Sequence, residues 1–246
     1  MVKLIRFELR KLMQQKSFYI CMAMSLLFLS INFTVSQKLS TFMNVQSLTG
    51  LDAIQSTIGS LSYTLILSIC IALFITDDYA GGTIKNIFSK GYSRTQVFFA
   101  KYIVSLFGTL LFTLVCTLFS FAIGSFLGGV GNIGPRFLLT MICQILLLTA
   151  YHTMYFGFSI VLGKSGSAIA GCIIMPTVFT LLYSLFDSWI SFSNFTFKSI
   201  WLDNLLGNLS KAPVNSTLLR QSALFSLIYI ILFGTIALIL SQKKEY

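Results

Sequence analysis

Six long stretches of this chain contain no Asp, Glu, Lys or Arg: residues 17–37, 53–76, 102–135, 137–163, 165–186 and 221–242. All six are dense in Leu, Ile, Phe and Val, and a helix needs roughly 20 such residues to cross the ~30 Å hydrocarbon core of a bilayer. Hydrocarbon offers no partner to a backbone amide or carbonyl, so a crossing segment must close its own hydrogen bonds. A helix does this. A closed β-barrel would need short alternating segments, and none of the six runs alternates. The pattern predicts an all-α, polytopic membrane protein with spans at 18–36, 57–76, 100–127, 136–162, 167–187 and 222–241, forming a single domain over 1–246. Composition agrees: 56% of residues are hydrophobic and 10% charged, against about 25% charged in soluble domains. A soluble fold of this size would lack the polar groups to cover its surface.

The net charge of +10 would suit a nucleic-acid binder, but the basic residues flank the apolar runs, which is an orientation signal with a secondary attraction to anionic lipid. With the first end inside, one side collects Lys3, Arg6, Arg10, Lys11, Lys16, Lys85, Lys90, Arg94, Lys101, Lys164, Lys243 and Lys244. The other collects Lys38, Arg136, Lys198, Lys211 and Arg220. Positive residues favour the cytoplasm, so both termini are expected there, in the plasma membrane, and nucleic acid is not an expected partner.

The five cysteines stand singly inside apolar runs and read as small packing residues, so no metal site is expected. Gly129, Gly131 and Gly134 spell G-x-G-x-x-G, but they follow an apolar helix and run into Pro135, the wrong setting for a dinucleotide turn. Gly163-Lys164-Ser165 resembles the end of a phosphate-binding loop, but Gly157 stands one residue too far upstream. No ATPase, and no catalytic constellation, is visible on this chain. Pro176 falls inside the fifth span and predicts a kink. Gln144 and His152 place polar groups at depth in the fourth, either lining a path or bonding across helices. Gly124 and Gly128 have the spacing that permits close helix approach.

Three segments outside the spans carry more. Residues 1–16 are amphipathic at helical spacing, with Val2, Ile5, Leu9, Leu12 and Met13 on one side and Lys3, Arg6, Arg10 and Lys11 on the other. They predict an interfacial elbow helix before the first span. Residues 77–99 form a connection longer than chain reversal requires. Asp77 and Asp78 open it, Gly81 and Gly82 allow a sharp turn, Thr83 is suited to cap a short helix to about Phe88, Gly91 breaks it, and Ser93 is suited to cap the next. Residues 188–221, with Trp189, Phe192, Phe195, Phe197, Trp201, Leu205, Leu206 and Leu209, predict an interfacial or re-entrant segment on the outer face.

The pattern D-D-Y-x-x-G-T-I-K-N-x-x-S-K-G-x-S-R from Asp77, together with the opening L-I-R-F-E-L-R-K-L, resembles small six-span permeases of ATP-binding-cassette exporters. These are the bacitracin-resistance, lantibiotic-immunity and toxin-peptide exporters of Gram-positive bacteria, whose ATPase is a separate chain. The resemblance implies that Asp77, Asp78, Gly82, Thr83, Ile84, Lys85, Asn86, Ser93 and Arg94 form a coupling segment seated on that ATPase. It further implies that ATP and Mg are held by the partner and none by this chain, that a second permease copy or a homologue completes the path, and that the cargo is an amphipathic or antimicrobial peptide. An ATP-independent secondary transporter or channel is the alternative. The scarcity of ionisable residues inside the spans weighs against it.

Overall fold

The computed structural model describes residues 1–43, 48–189, 196–211 and 214–243. Within them the chain is helical: α1 (Val2–Gln14), α2 (Lys16–Met43), α3 (Gly50–Ile58), α4 (Leu61–Ala80), α5 (Thr83–Ser89), α6 (Arg94–Gly128), α7 (Phe137–Leu162), α8 (Ser165–Trp189), a 3-10 turn (Phe197–Ile200), α9 (Leu202–Leu209) and α10 (Ser216–Lys243). Six of these, α2, α4, α6, α7, α8 and α10, are long and apolar enough to cross a bilayer, and the chain is a multi-pass membrane protein. An even number of crossings brings the start of α2 and the end of α10 to the same side. Of the residues named from sequence, Phe192, Phe195 and Lys244 lie outside the described residues.

Helices α4 and α7 form the interior. In each, 61% of the most apolar stretch is buried, against 11% in α8 and 17% in α10. Helix α4 packs against α2, α7 and α8, and α7 packs along α10. The outer helices expose Leu, Ile, Val and Phe around the perimeter, as lipid contact requires and water would not permit. All five cysteines are buried with free thiols. Helix α6 has 35 residues, which at 1.5 Å per residue is about 52 Å. Even tilted by about 40° it overshoots the ~30 Å core, so part of α6 stands outside the hydrocarbon.

The second apolar run is not one helix. A span at 57–76 was expected, but the chain breaks at Gly59-Ser60. Ser60 then caps α4, its Oγ accepting from the Tyr63 amide at 3.4 Å. Helix α3 starts on its own capping box. The Asp52 amide donates to Thr49 Oγ1 at 3.4 Å, and the Thr49 amide donates to Asp52 Oδ2 at 3.4 Å. Helix α3 lies against the far part of α6, where Gly124 admits it. A Cβ on Gly124 would stand 2.7 Å from Ala53 Cβ and 3.0 Å from Gly50 Cα, closer than either backbone tolerates.

Helix α8 runs through the buried Pro176. The proline lacks the amide that would serve the Cys172 carbonyl, and its own carbonyl accepts from Thr180 Oγ1 at 2.8 Å. The segment after α8 folds into the bundle. Trp201, Leu202, Leu205, Leu206 and Leu209 are all buried, and α9 packs on α7 and α10. Asp187 anchors the 3-10 turn, its carboxylate accepting from the Phe197 amide and, at 2.9 Å, from the Lys198 amide.

Candidate functional site

A buried group of four charges joins four helices at the end of the bundle that carries α1 and the last turn of α10. Glu8 comes from α1, Asp78 from the end of α4 and Lys101 from the second turn of α6, and all three are almost wholly excluded from solvent. The Asp78 carboxylate is the hub. Oδ2 receives Lys101 Nζ, and Oδ1 receives both Lys11 Nζ and, at 2.7 Å, Thr83 Oγ1. Lys101 Nζ also lies 3.3 Å from Glu8 Oε1, and Lys11 Nζ lies 3.2 Å from the half-exposed Asp77. One carboxylate therefore ties α1, α4, α6 and the first residue of α5 together. Two cations against two buried anions leave the interior neutral, the condition under which a buried ionic group is tolerated.

The local sequence explains how each helix presents its member. Leu4, Glu8 and Leu12, at a spacing of four, form the buried face of α1. Leu12 sits over Gly108 of α6, where a Cβ would approach its Cδ2 to 2.9 Å. Of the side expected to be apolar, Leu12 is buried, Ile5 and Leu9 are partly buried, and Val2 and Met13 are exposed, as residues turned toward lipid would be. Lys11, assigned to the solvated side, instead faces the carboxylates, because a buried ion must meet its counter-ion. Arg6 and Arg10 remain exposed.

Helix α5 is held between two left-handed glycines. Gly82, at φ 64°, is its N-cap, and Gly91, at φ 84°, follows its end, a backbone region where a side chain is strained. Thr83 was expected to cap this helix. No side chain caps it, and the Thr83 hydroxyl bonds the Asp78 carboxylate instead. Ser93 and Gln96 form a capping box that starts α6, with the Ser93 amide donating to Gln96 Oε1 at 3.1 Å. Ile84 and Ile87 are buried, the latter with Leu4, Val97 and Ala100 in a small apolar cluster shared by α1, α5 and α6. Lys85, Asn86, Ser89 and Lys90 face outward. Arg94 donates to the Gln242 carbonyl, linking the start of α6 to the end of α10.

Burial raises the Glu8 carboxyl above its ordinary value of 4.5, outweighing the opposing attraction of Lys101. The folded chain then holds the Glu8 proton to higher pH than the unfolded chain does, so this group makes stability fall as pH rises through the range just above 4.5. Glu8→Gln removes that group. The difference between wild-type and Glu8→Gln unfolding curves, followed by thermal melting in detergent across that range, is expected to shift in favour of Gln as pH rises. A difference independent of pH would contradict the assignment.

Gln144 and His152 lie in packed contacts between helices. Gln144 Nε2 donates to the Gln55 carbonyl at 3.2 Å and to Ser210 Oγ at 3.3 Å, joining α7 to α3 and to the end of α9. His152 Nε2 pairs with Ser105 Oγ of α6 at 2.9 Å, beside the Tyr102 and Phe156 rings. Neither contacts the ionic group.

About midway along α7 and α8, Asp203 forms a second hub. Its carboxylate receives the Tyr151 hydroxyl, the Thr180 hydroxyl at 3.0 Å and Trp201 Nε1 at 3.2 Å, tying α9 to α7 and α8. Sequence reasoning assigned no role to Glu8, to Asp203 or, beyond its charge, to Lys101. Lys101 carried a usable signal, since a lysine within a span needs a partner.

A family model described as ABC-2 family transporter protein matches residues 4–187, which covers α1 through most of α8. No curated protein matches the chain.

Proposed function

Because the chain belongs to the ABC-2 family of transporter proteins, we propose that it is the membrane-spanning subunit of an ATP-driven exporter, with residues 77–94 receiving force from a separate ATPase. The observation that carries this reading is the Asp78 hub, which fixes the base of α5 to α1, α4 and α6 at once. Displacement of the outward face of α5, at Lys85 and Asn86, then moves two spans and the elbow helix as one body. A loosely tethered loop would absorb the same push.

In this reading both termini and α5 are cytoplasmic, and the ionic group sits beneath the inner surface of a Gram-positive plasma membrane. ATP and Mg reside on the partner. A second copy or a homologue completes the path, and the cargo is an amphipathic or antimicrobial peptide. The apolar perimeter and the packed interior of one copy agree with a path formed between copies.

The test is co-purification with the ATP-binding-cassette protein encoded beside it. Wild-type chain is expected to retain that ATPase, and Lys85→Glu combined with Asn86→Glu to lose it, because both side chains are exposed and add nothing to the fold. ATP-free transport by the chain alone would overturn the proposal.

A further inference from the structure

A pocket of about 390 Å3 opens at the end of the bundle opposite α5, where α3, the 129–136 connection and the first turn of α7 meet. Asp52 and Gln55 line it from α3, and Asn132 and Arg136 from the connection, with Phe137 and Val214 as apolar wall. The frame is fixed by hydrogen bonds. The Gly50 and Leu51 amides donate to the Gly129 and Val130 carbonyls at 2.9 and 3.2 Å, which holds the connection against the start of α3. Gly131, at φ 85°, presses it onto Thr49: a Cβ there would stand 2.4 Å from Thr49 Oγ1.

Both charges on the pocket are held in place. Asp52 Oδ2 accepts from the Thr49 hydroxyl at 2.7 Å. Arg136 Nη1 donates to the Val214 carbonyl at 2.9 Å, and a guanidinium has five donors, so this bond does not exhaust it. Among the described residues, Asp52 and Arg136 are the charges that line this pocket, and they do not pair with each other. A fixed anion and a fixed cation set apart favour a ligand that carries both signs, since a single ion would be repelled by one wall. Gln55 and Asn132 carry amides, which give and take hydrogen bonds as a peptide unit does.

A zwitterionic phospholipid headgroup has the same two charges, but its tails need an apolar way out along the protein. The deep side of this pocket is polar and closed. Gln144, one turn beyond the pocket-lining Thr140 on α7, donates to the Gln55 carbonyl at 3.2 Å and to Ser210 Oγ at 3.3 Å. The pocket is of the size that takes a small ligand.

We propose that this pocket binds a short peptide segment carrying both charges, its basic group at Asp52 and its carboxylate at Arg136. The proposal rests on the peptide cargo inferred above and adds where, and by which charges, the chain recognises it.

The test is isothermal titration calorimetry of the full-length chain in nanodiscs, with no ATPase present. The probes are end-blocked lysyl-leucyl-glutamate and its uncharged counterpart, glutaminyl-leucyl-glutamine. Wild type is expected to bind the charged probe about tenfold more tightly, the worth of two partly screened ion pairs. Arg136→Glu is expected to lose that preference and to favour lysyl-leucyl-lysine instead. Should Arg136→Glu fail to assemble, Asp52→Asn, which keeps an acceptor for the α3 cap, is expected to bring the charged probe down to the level of the uncharged one. Equal binding of the two probes by wild type would overturn the proposal, as would unchanged selectivity in the variants. Displacement of the peptide by glycerophosphoethanolamine would assign the pocket to a lipid headgroup, and disulfide linkage of two copies through Asn132→Cys would assign it to a second copy; either result overturns the proposal. Because binding is read without the ATPase, the peptide site can fail here while co-purification still supports the exporter.

Discussion

Lys101→Met is expected to destabilise the folded chain by about 3–5 kcal/mol, the usual cost of removing one partner from a buried ionic group. The ammonium serves Asp78 directly and stands beside Glu8, and all three groups are shut off from water. Methionine has a similar length and no charge, so it leaves two buried carboxylates with only Lys11 in reach. Thermal or denaturant unfolding in detergent micelles reads the loss. Adding Asp78→Asn and Glu8→Gln to Lys101→Met is expected to recover most of it. A fully neutral set of similar shape removes the stranded charges, and such replacements are often neutral or stabilising. The triple variant should fold yet couple poorly, because the hub that binds α5 to α1 and α6 is gone. If Lys101→Met unfolds like wild type, the ionic group is not buried as described.

Asp203→Ala is expected to cost about 2–6 kcal/mol. It strands the Tyr151 hydroxyl and Trp201 Nε1, both on fully buried side chains, at about 1–3 kcal/mol for each unsatisfied donor. The start of helix α9 should also loosen from α7 and α8, since Asp203 bonds Tyr151 and Thr180 there, while the Gln144–Ser210 contact holds its far end. A thiol placed at Leu205, buried in the wild-type fold, is expected to become reactive toward a membrane-impermeant maleimide only when Asp203→Ala is present. The native thiols are buried and give a low background. Asp203→Asn keeps one acceptor and should fall between wild type and Ala. An unreactive Leu205→Cys in both backgrounds would show that α9 stays in place without Asp203.

The spans were legible because the bilayer imposes a length and a composition at once, and six runs met both. The division between α3 and α4 was not read, although Thr49, Asp52, Gly59 and Ser60 carry the caps that make it. A charge-free run hides such a break, since both helices are apolar. The turns around α5 followed from Gly82, Gly91 and Ser93, whose conformational preferences are local. The ionic group was only half visible. Asp77 and Asp78 stood out by position, but Lys101 looked like one more flanking cation, and Glu8 was lost among the basic residues of α1. Which charge is buried depends on where another helix places its counter-ion, and no window of sequence contains both. The same reason explains Lys11: helical periodicity placed it on the solvated side, and the Asp78 carboxylate draws it inward. Asp203 was equally opaque, because two of its three donors, Tyr151 and Thr180, come from α7 and α8.

Spin labels at Arg10 and Asn86, both exposed, test the lever most directly. The distance between them, measured by pulsed electron spin resonance in the assembled complex, is predicted to stay the same with and without trapped ATP. Over the same cycle, the distance from Asn86 to a label on α3 at the far end of the bundle should change. A cycle in which α5 swings away from α1 while the spans stay still would contradict the account.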